Sequence, residues 1–206
     1  MEIYREERAG ELSAFLLTDL KQNGRRRSIL SAPPIYTMSP DMLEHILRRN
    51  SVSEEERARI HEYAASQLKR SEQLLTVGTI EDEIPQLNDE EFSRHPAVLP
   101  LSGLFYGQDI TYTPDEYREH IEQTLSFAEE HPSYTVTLTA ANPFRNLCIL
   151  IHEGRWAMIS KSNAPAIHFV IHHPKLRAAI ESFTPPMVEE KSKRRTELPT
   201  DLPHAA

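Results

Sequence analysis

A chain of 206 residues, 39% of them hydrophobic and 26% charged, can bury one substantial core or two small ones. No apolar run approaches the roughly 20 residues that span a bilayer, no signal peptide opens the chain, and its one cysteine, Cys148, excludes an internal disulfide framework, so a cytoplasmic protein without membrane contact is expected. The net charge of −8 is unevenly spread: residues 1–79 carry 12 Lys/Arg against 12 Asp/Glu and residues 80–184 carry 7 against 15, an acidic body that repels nucleic-acid phosphates.

Residues 2–22 read as an amphipathic helix, with Leu12, Phe15, Leu16 and Leu20 on one stripe and Gly24 as its left-handed cap. Arg25, Arg26 and Arg27 lead into a strand over 28–31, which Pro33-Pro34 stops. Ser39-Pro40 starts a helix to about Arg49, the hydroxyl as N-cap and Pro at the first helical position. Ser53 and Glu56 form a capping box for a second helix to about Glu72, and 74–79 reads as a strand. Asn88 and Glu91 cap a single turn. The apolar, proline-broken run 98–106 reads as a covering loop. Thr113-Pro114-Asp115-Glu116 is the clearest helix start, with Tyr117, Ile121, Leu125 and Ala128 as the buried stripe. Tyr134, Val136 and Leu138 then alternate with threonines, as in a half-exposed strand. Three short apolar runs follow between 147 and 172 and predict an antiparallel meander, after which Pro174 opens a helix to Phe183.

The expected fold is α+β or α/β: a mixed sheet with a C-terminal antiparallel meander covered by helices, plus an N-terminal helical segment. Its expected divisions are 1–24, an amphipathic helix; 25–110, an α/β half with a helical hairpin; 111–184, an α+β half; and 185–206, a polar, Pro-rich tail expected to be disordered.

Signatures of a reaction are scarce. There is no G-x-S-x-G elbow, no G-x-G-x-x-G and no phosphate loop. His173-Pro174-Lys175 has the start of a phosphodiesterase motif, but Ile180 stands where its aspartate should be. The two helices from Ser39 and Ser53 do not make a DNA reader, because Glu54, Glu55 and Glu56 occupy the end that would face phosphates. Among ten histidines only His168, His172 and His173 cluster. His168 and His172 share a strand face and would bind a metal given a third ligand such as His152, but no such ligand is specified locally and a partly solvated polar face is the simpler reading. Polar residues at the meander turns, Arg145, Asn146, Arg155, Trp156, Lys161, Ser162 and Asn163, would suit a small anion or an acidic peptide, and plain turn chemistry explains them too.

Two runs carry a resemblance. Residues 142–161 (Asn-Pro-Phe-Arg-Asn-Leu-Cys-Ile-Leu-Ile-His-Glu-Gly-Arg-Trp-Ala-Met-Ile-Ser-Lys) and 164–176 (Ala-Pro-Ala-Ile-His-Phe-Val-Ile-His-His-Pro-Lys-Leu) resemble the C-terminal region of bacterial lambda-repressor-type (XRE) helix-turn-helix transcriptional regulators. The resemblance spans roughly 25–184 and lies in apolar strands and turns. It implies an effector-sensing and self-associating region, hence a homo-oligomer with a small-molecule or peptide effector. The chain departs from the family in lacking the DNA-binding domain, so nucleic-acid contact is not carried over. With no catalytic residue, metal or cofactor expected, the candidate effector ligands are Arg155, Trp156, Lys161 and His168. The alternatives are a small metal-dependent hydrolase using His152, His168 and His172, and an interaction scaffold paired through the first helix.

Overall fold

A computed structural model describes residues 1–139, 146–161 and 163–183. Its seven strands are β1 (Glu2–Tyr4), β2 (Gly24–Ile29), β3 (Gly78–Pro85), β4 (Tyr134–Thr139), β5 (Leu147–His152), β6 (Trp156–Lys161) and β7 (Ile167–Ile171). They form one mixed sheet in the order β1-β7-β6-β5-β2-β3-β4. β2, β3 and β4 run parallel, while β5, β6, β7 and β1 pair antiparallel in succession, with β5 lying beside β2. The mixed α+β class and the C-terminal meander are therefore present. The sheet joins strands from both expected halves.

The helices are α1 (Ala9–Asp19), α2 (Pro40–Arg49), α3 (Glu54–Val77), α4 (Asp89–Arg94), α5 (Pro114–Glu130) and α6 (Pro174–Phe183). Local chemistry sets their starts. Ser39 Oγ accepts from the Met42 amide, and full capping boxes open α3, α4 and α5 at Ser53, Asn88 and Thr113. α2 and α3 form the crossover between β2 and β3, and α4 and α5 that between β3 and β4, as a parallel pairing requires.

Strand register sorts side chains onto two faces. One face, carrying Arg26, Ser28, Asp82, Leu150, His152, Trp156, Met158, His168 and Val170, lies under α1, α2, α3 and α5. Its main core joins Leu43, Ile46 and Leu47 of α2 to Ile60, Leu99, Tyr117 and Ile121, and a second cluster seats α1 through Leu12 against Tyr4, Trp156, Met158 and Val170. Ile46 and Leu47 are wholly buried, each worth roughly 1.5–3 kcal/mol relative to exposure. The other face carries Arg25, Arg27, Ile29, Ile149, Ile151 and Ala157, and α6 packs on it through Ile180.

Three boundaries differ from the sequence reading. Residues 2–4 pair with β7 as an edge strand, a 3-10 turn follows at Glu6–Arg8, and the helix proper ends at Asp19. Gly24 opens β2 instead of capping a helix, and β2 contains all three arginines. α3 continues through Val77, and the strand expected at 74–79 is β3, displaced to Gly78–Pro85. The reason lies in a glycine pair. A Cβ on Gly78 would stand 1.9 Å from the Gly24 carbonyl oxygen, so the two strands meet this closely only where residue 78 lacks a side chain, while a Cβ on Gly24 would meet the His152 ring at 2.3 Å. The expected disordered tail from residue 185 lies outside the described residues.

Candidate functional site

The four residues expected at a ligand site are not brought together. Trp156 is buried and its Nε1 donates to Asp19 Oδ1 at 2.9 Å. His168, on the same face, is buried edge-on against Phe105. Its Nε2 donates to the Ser102 carbonyl at 3.1 Å, and Ser160 Oγ lies 2.7 Å from Nδ1. Burial lowers the His168 pKa, which keeps the ring neutral with Ser160 as the donor to Nδ1. Lys161 sits on the opposite face, and its Nζ donates to the Ala164 carbonyl at 3.1 Å. Arg155 is exposed at the β5–β6 turn, where its carbonyl accepts from Arg177. Asn146 and Asn163 flank the meander, and Arg145 and Ser162 lie outside the described residues.

The three histidines of the metal alternative also stay apart. His152 is fully buried on β5, His168 lies two strands away on β7, and His172 is 44% exposed by its side chain beside Glu2. Among the described residues no group of three or more His, Cys, Asp and Glu comes together in a way that could hold a metal ion.

His152 instead belongs to a buried knot that fastens the end of α1 to the sheet. Asp19 accepts from His152 Nδ1 at 2.7 Å and from Trp156, while Arg26 Nε and Nη2 each reach Oδ2 at 3.1 Å. Burial alone would raise the Asp19 pKa. Hydrogen bonds from Trp156 and His152 and the Arg26 charge outweigh it, and the carboxyl is held below its ordinary range. The knot is closed on itself and offers no open valence to a ligand.

The same closure holds for a cavity of about 400 Å³ on the α6 face, lined by Arg25, Arg27, Ile151, Glu153, Gly154 and Glu181. Arg25 is ion-paired with Glu81 at 2.5 Å and Glu153 at 2.9 Å, and Arg27 with Glu83 at 2.6 Å. Its arginines are already neutralised.

Arg70 is different. On α3 the positions 60, 63, 67, 70 and 74 recur at helical spacing and face the sheet, with Ile60 and Leu74 buried. Arg70 therefore stands on the inward stripe. Burial lowers its pKa, opposed by the nearby Tyr63, Asp19 and Tyr36. Its Nε is sealed from solvent without a hydrogen-bond partner. Among the described residues nothing donates to, accepts from or ion-pairs with its guanidinium. A guanidinium has five N–H donors, and a desolvated one without partners is costly.

A groove of about 610 Å³ opens between the C-terminal turns of α1 and α3, lined by Leu17, Thr18, Leu20, Lys21, Gln73, Thr76 and Val77. Gln73 is one turn along the helix from Arg70. Leu150 of β5, Tyr36 and Tyr63 pack against buried clusters, and each keeps part of its surface uncovered. Tyr36 donates to Asp82 Oδ2 at 2.7 Å and Tyr134 to the same oxygen at 3.0 Å. Burial raises the pKa of Asp82 and of both tyrosines. Tyr63 Oη lies against the Gly103 backbone, where a Cβ would approach to 2.5 Å. The groove thus combines one cation (Lys21), the Gln73 amide, the Thr18 and Thr76 hydroxyls and aliphatic walls, and Arg70 is not among its lining residues. Sequence reading passed over Arg70. The available signal was an arginine on a helical stripe that also carries Ile60, Tyr63, Gln67 and Leu74.

No family model matches the chain, and comparison with curated proteins and with solved structures finds no similar protein.

Proposed function

We propose that the chain is a non-catalytic effector-sensing region of a bacterial transcriptional regulator of the lambda-repressor type, and that the effector occupies the groove between α1 and α3. The observation that carries this reading is the groove of about 610 Å³ between α1 and α3, with Leu17 60% exposed and Lys21 among its lining residues. The resemblance of residues 142–161 and 164–176 supplies the regulator context. Coupling follows from position. α1 forms one wall of the groove and is tied to the sheet at Asp19. A ligand that favours one placement of α1 shifts the population of that placement by its differential affinity.

Thermal unfolding against a library of small metabolites tests this. An effector at 100 times its Kd raises stability by about 2.7 kcal/mol. The same compound should slow amide exchange in α1. If no compound stabilises the chain, or if α1 exchange is unmoved by one that does, the reading falls. Self-association belongs to the same reading, and light scattering that finds a strict monomer at every concentration removes that part.

A further inference from the structure

Resting on the self-association that belongs to the proposed reading, we infer that two copies of the chain pair antiparallel along β4, joining their sheets into one continuous sheet about a two-fold axis at Thr137.

The two edges of the sheet are unlike. β1 has three residues, and Glu2 stands on it beside His172. A short strand that carries a charge is a poor template for further pairing. β4 has six residues, Tyr-Thr-Val-Thr-Leu-Thr, with no charge, Pro or Gly, and no strand pairs with its outer side among the described residues. The hydrogen bonds show which of its backbone groups are left over. The Ile80 amide donates to the Ser133 carbonyl at 3.0 Å, and the Gln86 amide to the Thr139 carbonyl at 2.7 Å. Alternate residues of a parallel strand serve one neighbour, and with Ile80 opposite Tyr134 and Ile84 opposite Leu138 those residues are Thr135, Thr137 and Thr139. The amides and carbonyls of Val136 and Leu138 therefore point away from β3, and they make no other backbone bond among the described residues.

A second copy matches this edge in its bonds, side chains and charge. Antiparallel pairing with Thr137 on the axis sets Val136 opposite Leu138 of the second copy, and the two residues exchange both main-chain bonds. The axis repeats that pair, so every outward amide and carbonyl of Val136 and Leu138 is satisfied. On one face the side chains of Val136 and Leu138, each only partly covered at the rim of a buried cluster, meet across the axis. On the other face Thr135 meets Thr139, and Thr137 meets itself, pairings that stabilise a sheet. Charge permits the approach. The chain carries −8, and copies repel in general. β4 itself is neutral, and the acids one strand in, Glu81 and Glu83, are ion-paired with Arg25 and Arg27. The joined sheet ends on both sides in β1, so assembly closes at the dimer. An extended peptide from another protein would gain the main-chain bonds without the matched threonines.

Sedimentation velocity and amide exchange of the whole chain, without added ligand, test this. The mass should double as concentration rises. Exchange at Val136 and Leu138 should slow about ten-fold or more where the dimer forms, while Thr135, Thr137 and Thr139, already bonded to β3, change little. Thr137→Lys and Thr137→Glu each set like charges opposite one another at the axis, and each should weaken dimerisation about ten-fold or more. An equal mixture of the two should recover it as a heterodimer. Val136→Pro removes an amide that serves nothing inside the chain, and it should give a monomer. A dimer that persists in Thr137→Lys and Val136→Pro, or one whose formation leaves Val136 and Leu138 exchange unmoved, overturns the β4 surface and assigns self-association to another face. A mixture of the Lys and Glu variants that stays monomeric overturns the axis at Thr137. A strict monomer at every concentration removes the surface and self-association together, whereas the effector reading still stands or falls on ligand-dependent stabilisation. Where a variant fails to fold, exchange in the parent chain decides.

Discussion

Replacing Asp19 by Asn isolates the energetic role of the buried knot. The side chain is 4% exposed and receives four hydrogen bonds: two from Arg26, one from His152 and one from Trp156. Asn keeps the shape and one acceptor oxygen but removes the charge and turns two donors towards existing donors. The Arg26 guanidinium, 8% exposed by its side chain, then keeps only the backbone carbonyls of Asp19, Gln22 and Gly24. Breaking a buried pair from one side costs about 3–5 kcal/mol, against a total of about 5–15 kcal/mol for an ordinary domain. Asp19→Asn should therefore move the urea midpoint down by about a fifth or more of its value. Adding Arg26→Met removes the stranded charge and should recover about 1–3 kcal/mol of the loss. The pH dependence carries the same sign. Asp19 titrates lower folded than unfolded, so its stabilisation is complete above about pH 4 and is lost as pH falls through the folded value. The variant should lack that acid limb. A loss under about 1 kcal/mol, or a double variant as weak as the sum of the singles, would refute the argument.

Two further predictions rest on separate features. His120 is fully buried, with Tyr112 Oη 2.9 Å from Nδ1 and Thr37 Oγ1 3.1 Å from Nε2, and burial pushes its pKa down to about 3. The unfolded ring binds a proton near pH 6.5, so between about 6.5 and 3 the unfolded state holds more protons and stability falls by up to ~1.4 kcal/mol per pH unit. Proton NMR should show the His120 ring neutral at pH 5, and a ring that titrates near 6.5 in the folded protein contradicts this. Gly78→Ala and Gly10→Ala should act oppositely. The first sets a Cβ against the Gly24 carbonyl and should cost more than about 2 kcal/mol, whereas the second meets nothing within 4 Å in an exposed helical position and should stabilise by about 0.5–1 kcal/mol. Paired urea melts decide it, and equal shifts would be inconsistent with the close approach of β2 and β3.

What the sequence made legible follows from the range of the forces involved. Capping boxes and the Pro at N1 act within four residues, so the starts of α2, α3 and α5 could be read from Ser39, Ser53 and Thr113. The meander was legible because three apolar runs separated by short turns leave antiparallel pairing as the simplest arrangement. β1 was not, since Glu2–Tyr4 becomes a strand only by pairing with β7, over 160 residues away. The boundary between α3 and β3 was lost because the helical residues 74–77 are apolar and β-compatible, and the determinant is Gly78 meeting Gly24 across the sheet. The candidate site fared worse for the same reason. Trp156 and His168 looked available as ligands because polar groups on an apolar strand advertise chemistry. Whether such a group is free depends on partners supplied from afar: Asp19 from α1 satisfies Trp156, and Ser102 with Ser160 satisfies His168. Arg70 is the converse. In sequence it is one cation in a helix full of charges, and only the tertiary arrangement distinguishes it from Arg26 and Arg27. All three arginines face the interior, but the fold supplies carboxylates to two of them. The third has its Nε sealed from solvent without a hydrogen-bond partner.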